Sequence, residues 1–349
     1  MMRLASGHTV EALQGEELER QKRDFKGYVK GLVRLNPGRW LFPSTYTKFA
    51  DRLYDFKFRK SDVVVMTWPK CGTTWTQEII WTMRNNPDLD DPEAKISTHY
   101  RIPYIEVDTM LETRSTSSCE HSDILMANLR KACPDGNPND GMTLQLADAM
   151  PGARTLKTHL PFSLLNPRLL DTSKVVCVMR NPKDVVVSYH HQSRLFNIHT
   201  YVGSFDQFVR YFVDDDLLYG PYWLHVKEVW EKRDHPNLHI IFYEDLSMNN
   251  MAELQKLNDF LGTNLTGEQL QKIAKYTSFG EMKAREEEES FLKDANVLVQ
   301  DTVKSDGGFF RKGVVGNWKQ RLSPDHQVWM DQWMERNTKD FDFFSRYSS

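Results

Sequence analysis

The chain reads as a single α/β domain with a central, mostly parallel sheet flanked by helices. Two observations predict this. Short apolar, β-branched runs occur without the polar alternation of a half-exposed strand, and helical spacing surrounds them. A sheet of that kind is buried on both faces, so helices must cover it above and below. A third observation keeps the 349 residues together: no internal repeat and no Pro/Gly/Ser linker divides them.

The elements follow in order. Asp62–Thr67 is a compact buried strand, and Thr73–Arg84 behind it carries Trp75, Ile79, Ile80 and Met83 at helical spacing. Arg154–Thr158 is a second short strand. Lys174–Met179 is a third, followed by a helix over Pro182–Leu195. Leu238–Tyr243 is a fourth, preceded by the amphipathic segment Tyr222–Lys232 and followed by a helix over Met251–Leu261. Three stretches fall outside this rhythm. Residues 1–34 read as an N-terminal extension. Residues 85–153 read as an irregular region, rich in turns such as Cys133–Gly141, and 283–310 as a lid loop that begins in an acidic run.

Composition narrows the class of function. Forty-five Lys and Arg against 48 Asp and Glu leave a formal charge of −3, without the basic excess of a general nucleic-acid binder. An anion site must therefore be built locally. The four cysteines, Cys71, Cys119, Cys133 and Cys177, are widely spaced and read as reduced thiols. The first 23 residues mix charges and lack an apolar signal core, and no stretch is long and apolar enough to span a bilayer. A cytoplasmic protein without a membrane partner is the expectation.

Four blocks carry chemistry. In Trp68-Pro-Lys-Cys-Gly-Thr-Thr-Trp75 a strand enters a Gly-containing turn and a helix start, where free N–H groups and the helix dipole cradle anions. Lys70 precedes Gly72, so this is not the Walker order, in which the lysine follows the second glycine. A plain threonine-capped turn would look the same. In Lys157-Thr-His159 a histidine stands at a strand end, the side where parallel sheets place ligands; it reads as a general base or as an ordinary structural histidine. Arg180–Ser188 follows the third strand, and capping explains Asn181 and Pro182 but not Arg180. Arg311, Lys312 and Gly313 form a glycine-flanked basic pair suited to a phosphate. No clustered His, Cys or carboxylate spacing implies a metal.

Together these blocks resemble the cytosolic sulfotransferase family. Thr67–Trp75 is similar to that family's P-loop-like 5′-phosphosulfate loop. Lys157–Pro161, Arg180–His191, Phe242–Leu246, Thr277–Met282 and Arg311–Lys319 match further family blocks in order, and the resemblance spans roughly residues 35–320. It implies transfer of the sulfuryl group of PAPS (3′-phosphoadenylyl sulfate) to a hydroxyl or amine, leaving 3′,5′-bisphosphoadenosine (PAP). By the same resemblance His159 would be the base, Lys70 would stabilise the leaving group and Lys157 the sulfuryl oxygens. Cys71, Gly72, Thr73 and Thr74 would hold the 5′-phosphate, with Trp75 near the adenine. Arg180, Ser188, Arg311, Lys312 and Gly313 would grip the 3′-phosphate, and Ser188 is also counted with the catalytic group. Tyr243, Thr277, Phe279 and Met282 would surround the adenine.

Three features depart from the family pattern. Cys71 replaces a serine, Asn317 replaces an aspartate, and Lys319–Val328 lacks the usual dimer motif, so a dimer is possible but without that motif. The acceptor, a phenol or alcohol of aromatic or hydrophobic character, is expected to meet Trp40–Tyr46, the 85–153 region, Tyr189–Phe196 and the 283–300 segment. Tyr100, Tyr104, Phe162 and Phe196 are the candidate aromatic contacts. A retinol-dehydratase-like enzyme, a small-molecule kinase and a non-catalytic nucleotide-binding relative are the competing readings.

Overall fold

Two four-stranded sheets organise the chain. The computed structural model describes residues 2–111, 120–288, 297–310 and 313–339. The first sheet is antiparallel, in the order β1 (Met2–Arg3), β2 (Thr9–Ala12), β3 (Leu32–Asn36), β4 (Trp40–Pro43). Val10 faces Leu35, and Leu35 faces Trp40. The stretch read as an N-terminal extension thus contains two strands and most of a third. These are short and carry charges, so they give little periodic signal. Arg34 shows what holds them: its buried guanidinium donates to Glu17 Oε1 at 2.6 Å, to Asp216, and to the Asp215 carbonyl at 3.0 Å. That cluster fastens the N-terminal sheet to the body of the domain.

The second sheet is the expected one, and within it every strand is parallel. Its order is β6 (Thr155–Thr158), β5 (Val63–Thr67), β7 (Lys174–Met179), β8 (Leu238–Phe242), with Met66 paired to Thr158 on one side and Cys177 on the other. Alternate residues feed two separate cores. Val63, Val65, Val176 and Val178 pack with Ile79, Ile80 and Met83 of α1 (Thr73–Asn85) and with Leu254, Leu257, Leu270 and Ile273. Val64, Met66, Val175, Cys177 and Met179 pack on the opposite face with Val185 and Val186. Continuous apolar strands are what such two-sided burial requires.

The remaining expected helices are α2 (Pro182–Leu195), α3 (Tyr222–Trp230) and α4 (Asn250–Leu261). The region read as irregular contains helices at Glu120–Ala132 and Met142–Ala149. Its turn signals were real, but they punctuate helices instead of replacing them. Pro324 opens α5 (Pro324–Thr338), where Ser323 and His326 form a reciprocal cap. In the lid stretch, 297–310 runs beside α2: Asn197 donates its N–H to the Val297 carbonyl, Val299 donates to Leu195, and Arg194 pairs with Asp306. Residues 289–296 of that stretch lie outside the described residues. No helix among the described residues is long and apolar enough to cross a membrane.

Candidate active site

All four parallel strands end on one edge, and each carboxyl end delivers a block singled out from the sequence. β5 leads to Trp68–Gly72, β6 to His159, β7 to Arg180 and β8 to Tyr243. In the order β6-β5-β7-β8, the neighbours β5 and β7 lead into helices on opposite faces of the sheet, and ligands of doubly wound sheets bind at such a switch point. A cavity of about 660 Å³ opens there.

The loop after β5 is a cradle. Gly72 has φ +111°, and a Cβ there would lie 2.7 Å from the Tyr243 ring, so only glycine fits. Lys70 also takes a left-handed conformation, φ +68°. Thr73 begins α1, its hydroxyl 2.5 Å from that of Thr67. Cys71 lies off the cavity wall. Its N–H closes a turn onto the Trp68 carbonyl at 3.3 Å, and burial pushes its thiol up to about 12. The thiol is thus the reverse of an activated one.

His159 is the most closely defined group. Its Nδ1 lies 2.7 Å from the Thr67 carbonyl oxygen, which can only accept, so Nδ1 carries the proton and Nε2 is the basic nitrogen. Burial, reinforced by the nearby Lys157 ammonium, holds the imidazole well below its usual range and therefore neutral at pH 7. Its ring packs edge-on between Tyr104 and Tyr219, whose hydroxyls are hydrogen-bonded to each other. Lys157 sits over the Tyr104 ring at 4.0 Å. Lys70 sits over the Phe309 ring at 4.3 Å, which brings the 297–310 segment onto the cradle.

Arg180 donates Nη1–H to the Lys70 carbonyl at 3.0 Å and lies over the Tyr243 ring at 4.0 Å. Its Nε and the Trp75 indole nitrogen are buried without a hydrogen-bond partner among the described residues. Both residues border the cavity. Asp184 accepts from the Gly316 and Trp318 N–H groups at 2.7 and 3.1 Å, tying the loop after the basic pair to α2. Asn317, between them, borders the cavity; the local carboxylate is supplied by Asp184.

Lys70, Gly72, Thr73, Thr74, Trp75, Lys157, His159, Arg180, Ser188, Tyr243, Phe279, Met282 and Gly313 all border this one cavity. Thr277 does not: it is wholly buried, and its hydroxyl bonds the Ile273 carbonyl of its own helix at 2.8 Å. Arg311 and Lys312 lie outside the described residues. None of Trp40–Tyr46, expected beside the acceptor, borders the cavity; Phe42 stands one layer behind it, edge-on to the lining Tyr219 at 5.4 Å. Tyr104 and Phe196 border the cavity, while Tyr100 and Phe162 do not. Sequence reasoning missed Tyr219, Phe309 and Glu106. Only Glu106 left a signal, a lone carboxylate within the otherwise uncharged run Ile102–Val107.

The family model for the sulfotransferase domain matches residues 60–342. The chain is 30% identical to luciferin sulfotransferase of Photinus pyralis over 296 residues, 84% of this chain and 75% of that protein. It is 33% identical to sulfotransferase 1A1 of Mus musculus over 276 residues, 78% of this chain and 83% of that protein. Among solved structures, retinol dehydratase in complex with retinol and PAP is similar, with a TM-score of 0.81 at 28% identity. The match covers 96% of this chain and 98% of the dehydratase.

Proposed function

Since the chain belongs to the sulfotransferase family, we propose a division of labour among the residues gathered at its sheet edge. The enzyme is a PAPS-dependent transferase that acts on small-molecule acceptors. PAPS supplies the sulfuryl group; the chain's own residues must orient it, take a proton and neutralise a departing phosphate. The single observation that carries the assignment is the pinned, neutral His159 sharing a cavity with Lys70 and Lys157.

His159 Nε2 takes the acceptor's hydroxyl proton as that oxygen bonds to sulfur. Lys70 and the cradle at Gly72–Thr74 stabilise the negative charge that gathers on the leaving 5′-phosphate. Lys157 balances charge on the sulfuryl oxygens. Transfers of this kind need alignment and charge neutralisation more than covalent help from the protein. Arg180, Ser188, Arg311, Lys312 and Gly313 hold the 3′-phosphate. Trp75, Tyr243, Phe279 and Met282 enclose the adenine, and the unpartnered donors of Arg180 and Trp75 suit an acceptor-rich nucleotide. A cytoplasmic location fits the free thiols of Cys71, Cys133 and Cys177.

The acceptor is an aromatic or otherwise hydrophobic alcohol. Ile102, Val107, Met110, Leu125 and Ile198 give its side of the cavity an apolar wall. The likeness to retinol dehydratase supports a second outcome on the same site, loss of the sulfated group from an alcohol able to eliminate it. Sulfur-labelled PAPS, incubated with phenols, sterols and retinol, separates the outcomes. Label on the acceptor supports transfer, free labelled sulfate with a dehydrated product supports elimination, and no turnover of PAPS with any acceptor contradicts both.

A further inference from the structure

Lys157 and His159 are held by a strap that none of the sequence blocks contains. Residues 103–106 run alongside the outer edge of β6: Lys157 donates its N–H to the Pro103 carbonyl at 2.9 Å, and Ile105 donates back to Lys157 at 3.1 Å. Tyr104 pairs with Lys157 as a parallel bridge and lies under its ammonium. At the strap's end stands Glu106, 1% exposed, with Oε1 accepting the His159 backbone N–H at 2.6 Å. One carboxyl group therefore touches the residue assigned as base and lies within electrostatic reach of the lysine two positions before it.

We propose that Glu106 is the positioning residue of the transfer site, fixing the His159 backbone and supplying the negative charge that keeps Lys157 cationic. A carboxylate buried in an apolar run is costly to retain without such a task. Burial drives the Lys157 ammonium toward its neutral form and the Glu106 carboxyl toward its protonated form, and each opposes that drift in the other. The other titratable groups facing them are Tyr46, Tyr104 and Tyr219 around the carboxyl, and Lys70 and His225 beside His159. None of these five supplies a negative charge near neutral pH. Glu106 is therefore the counter-charge for Lys157.

The inference rests on the roles given to His159 and Lys157 above, and its test separates the two. kcat/KM for PAPS is measured from pH 5.5 to 9.5 with 2-naphthol as acceptor probe. The same profile is read as PAP release to water where naphthol is not sulfated. PAP affinity is followed by calorimetry. Glu106→Gln is expected to lower kcat/KM at pH 7.5 at least tenfold and move the alkaline limb at least one unit toward acid, so that activity partly returns at pH 6. PAP affinity is expected to stay within threefold. Glu106→Asp keeps the charge but not the reach; it is expected to leave the limb in place while lowering kcat/KM at every pH. If Glu106→Gln does not fold, Glu106→Asp and Lys157→Arg decide the matter, since an always-charged arginine is expected to abolish the limb. A Glu106→Gln profile parallel to that of the unaltered protein, or an alkaline limb that survives Lys157→Arg, overturns the inference. An active His159→Asn variant overturns the underlying roles instead.

Discussion

The Thr67 carbonyl oxygen and the His159 imidazole Nδ1 lie 2.7 Å apart, joining the ends of two adjacent parallel strands. That one bond decides which nitrogen of His159 is basic. It also ties the imidazole to the strand that leads into the Gly72 turn. The bond fixes the imidazole relative to the turn, and in-line transfer depends on such alignment.

The acid side of the rate profile should reflect this setting. An ordinary imidazole titrates near 6.5. His159 is depressed by burial and by Lys157, so it remains neutral, and able to accept a proton, well below that pH. kcat/KM is expected to hold steady from pH 7.5 down to 6 and to fall only at lower pH. A decline centred on pH 6.5 would show an ordinary, exposed histidine in the role.

Gly72 gives a test of the cradle that does not involve turnover. Gly72→Ala demands a left-handed alanine, at roughly 1–2 kcal/mol, and sets a methyl 2.7 Å from the Tyr243 ring. Tyr243 must shift, and with it the cavity wall to which it belongs. PAP affinity is expected to fall about tenfold or more, with a modest loss of thermal stability. Unchanged affinity by calorimetry would remove the cradle from the nucleotide site.

Donor choice tests the basic blocks. Charge-assisted hydrogen bonds contribute roughly 1.5–3 kcal/mol each, so a group gripping the 3′-phosphate should favour PAP over AMP by at least ~100-fold. An Arg180→Ala/Arg311→Ala double variant is expected to lose most of that preference while binding AMP nearly as before. Equal affinity of the unaltered protein for PAP and AMP would leave Arg180, Arg311 and Lys312 without a phosphate to hold.

The fold's own weak point is elsewhere. Arg154 is wholly buried against Asp62, with its Nε 2.9 Å from Oδ1 and a second donor on the other oxygen at 2.5 Å. Arg154→Leu would leave the buried Asp62 carboxylate without a counter-charge, a loss of about 3–5 kcal/mol. Chemical denaturation should show this as a large drop in midpoint. A loss under about 1 kcal/mol would mean that the Arg59 N–H, already 2.7 Å from Asp62, is enough to hold the carboxylate.

Much of the site was legible because its residues follow directly on strands. Lys70, His159, Arg180 and Tyr243 each stand within three residues of a strand's end, and a parallel sheet gathers such ends by geometry alone. Tyr219 reaches the cavity, and Glu106 the His159 backbone, from segments with no period of 2 or 3.6; Glu106 shows in the sequence only as a lone carboxylate in an uncharged run, and Tyr219 not at all. Thr277 shows the opposite case: its family block is present, yet its hydroxyl is turned into its own helix. The N-terminal sheet escaped notice for a third reason. Its strands are two to five residues long, and Arg34, a charged residue by composition, is buried through ion pairs that sequence spacing does not encode.

The central claim is that His159 removes the acceptor's proton while the rest of the site holds the nucleotide. It is tested most directly by His159→Asn, measured in parallel for turnover with PAPS and for PAP binding by calorimetry. Asparagine can still donate to the Thr67 carbonyl but cannot act as a base. kcat is expected to fall about 10²–10⁴-fold, the range for loss of a general base, with PAP affinity nearly unchanged. A variant that keeps most of its kcat would contradict the claim.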